Sequence, residues 1–343
     1  MSPYITDILA QPDVLKSVIA KLSATTTLDR SLLEGLTSGR FSRVVLTGMG
    51  SSLHAQYPLH RALSEAGIAS HWIETAELLL GFDGLYRDDT LLIAVSQSGE
   101  SAEVAKLMER TIEFGHVIGV TNHASSTLGR AAHTVLMMEA GPESTVSCKT
   151  YLSTLAVLHW LGAQLLRKEV PFALHELTQS AAAVLGYLSA WREHVAELVP
   201  LLESVTSVFV TGRGDSLATA GTGGLILKES TRQHAEGMSA AAFRHGPLEM
   251  AGAKVLVLIF EGDEATTVLN RRLAEDIVRG GGRALLIGER WTTVKAFQLP
   301  SVPAGVRPIV EILPVQMLSL AMAARDGFEA GKFERASKIT NIA

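Results

Sequence analysis

The sequence predicts an α/β protein made of two doubly wound parallel sheets in tandem, and three observations lead there. Apolar runs of strand length alternate with helical patterns. A purely helical stretch interrupts that rhythm near the middle of the 343-residue chain. The rhythm then restarts on a segment that repeats the first: "VVLTGMGSSL" (44–53) and "VFVTGRGDSL" (208–217) share their hydrophobic pattern, both glycines and the Ser-Leu ending.

An N-terminal helical segment is expected over 1–40. In the first half, "RVVLTG" (43–48) reads as a buried strand, followed by a helix near 52–66. "SHWIE" (70–74) and a short helix from 75 come next, then "TLLIAVS" (90–96) and a helix over about 100–114. "HVIGVTN" (116–122) and "HTVLMME" (133–139) complete five strands. From Ser147 to about Leu202 the pattern is helical only, in two long segments separated by Val170-Pro171. The second half brings "SVFVTG" (207–212), a helix from 217, "KVLVLIF" (254–260), a helix near 265–279, "RALLIG" (283–288) and a last long helix from about 308. The expected divisions are therefore 1–40, a first domain over 41–170, a helical connector over 171–203, a second domain over 204–330 and a tail over 331–343.

The length is enough for two domains, each with its own core. With 47% hydrophobic and 19% charged residues the chain is globular. A net charge of -5 offers no basic field for nucleic acid or an anionic membrane, so the expected partners are small molecules or other subunits. The single cysteine, Cys148, leaves no internal disulfide framework and no Cys-rich metal site, as in a reducing cytoplasm. The N-terminus lacks the basic start and apolar run of a signal peptide. No uninterrupted apolar stretch approaches the roughly 18 residues of a membrane span. A cytoplasmic protein is expected.

Two loops carry the first candidate site. "TGMGSS" follows the first strand and "SQSGES" the third, and in a doubly wound sheet such loops converge beyond the carboxyl ends of the strands. Serine and glycine there are explained equally by turn formation and helix capping, or by hydroxyls gathered for a phosphate. The convergence of two hydroxyl-bearing loops favours phosphate. Neither has the spacing of a dinucleotide fingerprint or a Walker A motif, so no nucleotide cofactor is expected. The repeat places Phe260, Glu261 and Gly262 where the first copy has Ser96, Gln97 and Ser98, which leaves one anion site, in the first half.

The second half contributes Glu229, in the apolar helix "GTGGLILKEST", and His245, before Gly246-Pro247. Each has a plain structural reading, a solvated helix residue for Glu229 and a C-cap or core imidazole for His245. Each also fits a chemical one, as a base in a cleft and an imidazole projected by a helix end. The position of Glu229 beside Leu225 and Ile226 predicts partial burial, which raises a carboxyl pKa. His234, Glu236 and His245 have no spacing specific to a metal, and no metal is expected.

The stretches "GMGSS", "VSQSGES", "AGPE", "GRGDSL", "LKE", "HAE" and "RHGPLEM" together resemble the sugar isomerase (SIS) family, in particular tandem members such as the isomerase half of glucosamine-6-phosphate synthase. The resemblance runs from about residue 25 to the C-terminal "ASKITNIA". It implies two flavodoxin-like subdomains and a cofactor-free phosphosugar site. Ser51 and Ser52, with Ser96, Gln97, Ser98 and Ser101, match positions that hold the sugar 6-phosphate. Gly50, Val146 and Ser147 match substrate-binding positions. Glu229 matches the general base that moves a proton between C1 and C2 of the open sugar. His245 matches the ring-opening residue, contributed by the neighbouring subunit of a homodimer, and Lys338 a lysine that folds over the open sugar.

Departures from the synthase pattern shape the expected activity. The chain enters its first strand unit almost directly from Met1-Ser2, so the expectation is a stand-alone enzyme with no glutaminase domain. "LILKE" keeps Lys228 but carries Ile226 where the synthase has a second lysine, and the segment after "AGPE" is one residue shorter. The expected function is an aldose-ketose isomerase or deaminase on an amino-sugar 6-phosphate, glucosamine-6-phosphate deamination first. The alternatives are a fructosamine-6-phosphate deglycase and a non-catalytic sugar-phosphate-binding regulator.

Overall fold

The structure, a computed structural model, describes residues 1–25, 28–335 and 338. Two compact units share the chain. Among the described residues, one comprises those of 13–143, 148–178 and Lys338; the other comprises 1–12, 144–147 and 179–335.

The first unit is built on strands β1 (Arg43–Gly48), β2 (Ser70–Glu74), β3 (Thr90–Val95), β4 (His116–Thr121) and β5 (Thr134–Met137), all parallel in the order β2-β1-β3-β4-β5. All five lie where the apolar runs predict them. Every residue of β3 is buried, as expected of a central parallel strand covered on both faces. Val45, Leu92, Ala94 and Val117 pack with Leu107 and Leu128 from the covering helices. The helix expected over 52–66 is two, Ser51–His54 and Tyr57–Glu65, the second with Pro58 in its first turn. The helix expected to reach 114 stops at Met108 and ends in a 3₁₀ turn at Thr111–Glu113.

The second unit carries β6 (Ser207–Gly212), β7 (His234–Ser239), β8 (Val255–Phe260) and β9 (Arg283–Ile287), parallel in the order β7-β6-β8-β9. β7 is absent from the sequence reading. Of its six residues only Ala235 is buried, so no apolar run announces it. It forms because the helix Ser216–Thr231 lies on it backbone to backbone: a Cβ on Gly224 would stand 2.3 Å from the Gly237 nitrogen, and one on Gly237 2.1 Å from the Ala220 carbonyl oxygen. Small residues at the crossing let the helix approach, and the approach fixes where Glu229, two residues before the helix end, is presented.

The expected two-helix connector is three helices: Lys149–Leu165, Val170–Leu188 and Trp191–Leu198. Val170-Pro171 starts the second of these, because proline is tolerated in a first turn that has no donor to lose. The last helix, Arg307–Asp326, is buried from Pro308 to Ala323. Among the described residues it is the one helix, with its 304–306 lead-in, long and apolar enough to cross a membrane, and 94% of that window is buried inside the protein. The N-terminal helix Pro3–Leu9 is held against it, Tyr4 Oη lying 3.2 Å from Ser319 Oγ. The Gln11 and Gln316 amides exchange two bonds of 2.9 Å. The expected tail over 331–343 lies outside the described residues beyond 335, except for Lys338.

Candidate functional site

In the order β2-β1-β3-β4-β5 the chain winds outwards in opposite directions from β1 and β3, and sheets of this topology bind ligands beyond the carboxyl ends of those two strands. Gly48 and Val95, the last residues of the two strands, are Cα partners. Both serine loops leave from there. A Cβ on Gly48 would stand 2.9 Å from the Val95 carbonyl oxygen, so the loops can start side by side only if this residue is glycine.

In the first loop Gly50 takes φ 52°, open to a residue without Cβ, and turns the chain into the short helix that begins at Ser51. Ser51 is 9% exposed, and its Oγ has no hydrogen-bond partner among the described residues. A buried hydroxyl left unpaired costs on the order of 1–3 kcal/mol, which a ligand oxygen would recover. In the second loop Ser96 Oγ accepts from Gly99 N at 3.1 Å and Ser98 Oγ from Glu100 N at 3.2 Å, which folds the loop into consecutive turns. The Gln97 carbonyl accepts from Asn122 N at 3.1 Å. Ser101 occupies the N-cap of the following helix but makes no side-chain capping bond. Capping therefore does not consume its hydroxyl. Glu100, which the sequence reading passed over, accepts from Thr127 N and Thr127 Oγ1, both at 2.7 Å, and those bonds hold its carboxyl below its usual range.

Lys338 belongs to the same unit and pairs with Glu143 at 2.7 Å. Val146 and Ser147 belong to the second unit. The Val146 side chain is fully buried, while Ser147 is half-buried.

At the corresponding positions of the second sheet, after β6 and β8, acidic groups of the chain itself take up the nearby donors. Glu261, at the position of Gln97, is 5% exposed and accepts from the backbone N–H groups of Glu289 (3.1 Å), Arg290 (3.3 Å) and Trp291 (2.6 Å). Ser216, the counterpart of Ser52, donates to buried Glu311 at 2.7 Å.

Glu229 lies at the other end of this sheet. The helix Ser216–Thr231 starts beyond the carboxyl end of β6 and returns to the amino end of β7, so its last turn is far along from that carboxyl end. Glu229 is half-buried and lines a pocket of about 380 Å³ with Lys228, Arg232, Gln233, His234 and residues 332–335. Lys228 points to Glu236, at 3.7 Å. Arg232 closes the helix in the left-handed region (φ 57°) and reaches the Lys332 carbonyl at 3.0 Å and Glu334 at 2.8 Å. Ile226 is fully buried.

His245 follows the short helix Ala240–Phe243, whose C-cap is Arg244. Gly246, at φ 126°, turns the chain sharply after it. The imidazole is exposed, neither cap nor core, and is not among the groups lining the Glu229 pocket. His234 and Glu236 stand 3.9 Å apart on β7. No cluster of three metal-ligating side chains occurs among the described residues.

Comparison with known proteins adds the following. The SIS domain profile matches residues 40–163 and again 201–323. Glutamine–fructose-6-phosphate aminotransferase [isomerizing] of Pyrococcus horikoshii is 29% identical over 322 residues, covering 88% of this chain and 52% of that protein. The chain spans about half the length of the curated relatives it matches. Among solved structures, the C-terminal domain of glucosamine-fructose-6-phosphate aminotransferase from Francisella tularensis superposes with a TM-score of 0.85 at 22% identity, covering 96% of this chain and 98% of that one. Glucosamine-6-phosphate deaminase from Thermotoga maritima superposes with a TM-score of 0.78 at 17% identity, covering 99% and 100%. At these identities the structural likenesses establish the fold.

Proposed function

The chain belongs to the SIS domain family, and from that premise we propose that it is a phosphosugar enzyme, an aldose-ketose isomerase or deaminase whose first-ranked reaction is the deamination of glucosamine 6-phosphate. The observation that carries the reading is the pair of serine loops at the ends of β1 and β3, the first of which carries the buried Ser51 hydroxyl, without a hydrogen-bond partner among the described residues. Those loops supply neutral donors for a phosphate, whereas in the second half Glu261 stands at the position of Gln97 and the counterpart of Ser52, Ser216, is bonded to Glu311.

The chemistry follows from the residue types. His245 serves ring opening. Glu229 takes the proton from C2 of the open aldehyde, leaving an enolamine, and returns a proton to C1 to give the 2-imine. Water adds to that imine and ammonia leaves, so glucosamine 6-phosphate and water become fructose 6-phosphate and ammonia. A carboxylate is sufficient to move such a proton. The family assigns His245 to the neighbouring subunit, and its exposure and absence from the Glu229 pocket of its own chain support a homodimer.

The deciding experiment is a panel of amino-sugar and fructosamine 6-phosphates, followed for ammonia or amine release and for exchange of the C2 proton. Ammonia from glucosamine 6-phosphate supports the first-ranked reaction. Amine from fructosamine 6-phosphates makes the protein a deglycase, and binding without turnover or exchange makes it a regulator.

Two further outcomes are expected. Ser51→Ala and Ser98→Ala should each weaken sugar-phosphate binding by roughly 1–3 kcal/mol. Ser51→Ala should do so without lowering the melting temperature, because the hydroxyl it removes has no partner among the described residues. Calorimetry showing equal affinity for a sugar and its 6-phosphate would remove the phosphate assignment. Glu229→Gln and His245→Ala chains, each inactive alone, should regain activity when refolded together, since a mixed dimer contains one intact site. No recovery in confirmed mixed dimers would place each site within one chain.

A further inference from the structure

Glu143 ends the "AGPE" stretch, and its side chain is fully buried. Its carboxylate is surrounded by donors. One oxygen accepts from Cys148 N at 2.9 Å and Thr150 N at 3.0 Å, and the other from Thr150 Oγ1 and Lys338 Nζ, both at 2.7 Å. Three of these partners lie within seven residues of Glu143; Lys338 is 195 residues away. A local turn thus presents a preformed acceptor to a lysine from the far end of the chain.

The segment before Glu143 is itself fastened to the serine loop. Asn122, just past β4, donates its backbone N–H to the Gln97 carbonyl at 3.1 Å. Its side chain brackets the approach to Glu143, accepting from Ala140 N at 3.0 Å and donating to the Gly141 carbonyl at 2.8 Å. Lys149 Nζ donates to the Pro142 carbonyl at 2.5 Å. Hydrogen bonds from Gln97 to Asn122 and from Asn122 to Ala140 and Gly141, then two residues of backbone, therefore lead to Glu143 and its bond to Lys338.

We propose that Glu143 is a positioning residue for Lys338, and that this chain of bonds sets the place of the lysine ammonium relative to the loop that takes the phosphate. The proposal rests on the reading of Lys338 as the lysine that meets the open sugar. Holding both ends of one substrate from one rigid network is what makes the geometry of the reacting carbons reproducible, and a misplacement of about 1 Å there is worth up to a hundredfold in rate.

Glu143→Gln is the direct test. Its one oxygen can keep both backbone bonds while its NH₂ turns towards Thr150 and Lys338, so the turn survives and the ammonium is repelled. Limited acetylation with acetic anhydride, read by mass spectrometry of the Lys338 peptide, should be several-fold faster in the variant; an unchanged rate overturns the hold on the lysine. Turnover should fall about tenfold or more, with affinity for the sugar 6-phosphate unchanged. In a Lys338→Met background Glu143→Gln should add nothing, since the two act as one unit. Losses that multiply would overturn the positioning role while leaving the lysine's role intact. Unaltered turnover in Lys338→Met would remove the lysine's role and the positioning with it. If Glu143→Gln melts early, Glu143→Asp, which keeps the charge on a shorter arm, carries the same comparison and should fall between wild type and Lys338→Met.

Discussion

Glu229→Gln is expected to lower turnover by about two to four orders of magnitude, the usual worth of a general base, while affinity for the sugar 6-phosphate stays within about twofold. Glutamine matches glutamate in shape and retains polarity, and only the capacity to take a proton is lost. The site tolerates the exchange structurally. The backbone of the helix is fixed upstream by the Gly224–Gly237 contact, its end by Arg232, and Glu229 itself lines an open pocket. Deuterium at C2 should exchange with solvent in the wild type and be retained in the variant. Turnover or exchange that persists in Glu229→Gln removes this carboxylate from the mechanism.

Glu311→Gln should abolish a pH-dependent loss of stability of about 3 kcal/mol that the wild type shows between about pH 4 and 8. Glu311 is 1% exposed on the last helix; Ser216 Oγ donates to one of its oxygens at 2.7 Å, and the other has no partner among the described residues. Burial pushes its carboxyl from 4.5 up to about 7, against the opposing pull of Ser216, Thr219 and Arg307, with Asp215 adding to the rise. The folded protein therefore keeps a proton that the unfolded chain releases. This contribution is complete below about pH 4.5 and is lost as the pH rises through about 7. Glutamine keeps an oxygen for Ser216 and never ionises, so the variant's unfolding midpoint should change less than the wild type's between pH 5 and 8. Parallel curves for the two proteins over that range would show that Glu311 is not the titrating group.

Much of the fold was legible because its signals are local. Eight of nine strands appear as apolar runs, and β6 falls 164 residues after β1 at both ends. The same offset carries β2, Ser70–Glu74, onto 234–238, where β7 lies, so the repeat held the signal for the missed strand that hydrophobicity lacked. "HAEGMS" is a strand because a glycine-lined helix packs against it, and nothing in its own six residues requires that. The serine loops were legible for a related reason: a buried strand emptying into hydroxyls and glycine marks the carboxyl end of the strand from sequence alone. The role of Glu143 is not legible in its motif "AGPE". A glutamate after Gly-Pro is unremarkable until Lys338 is seen to reach it.

By itself the sequence determined the two tandem parallel sheets, the placement of hydroxyl loops on the first of them, and a carboxylate and an imidazole in the second half. Only the tertiary structure decided which acidic groups the protein spends on itself. Glu261 is taken up by donors 28 to 30 residues away, Glu311 by one 95 away and Glu143 by one 195 away. Strand and helix periodicity arises from neighbours along the chain and can be read there. The partner of a buried acidic group is fixed by whichever donor the packing brings within about 3 Å, and each of these three residues has at least one donor from a distant part of the sequence, Glu143 adding Lys338 to its local ones.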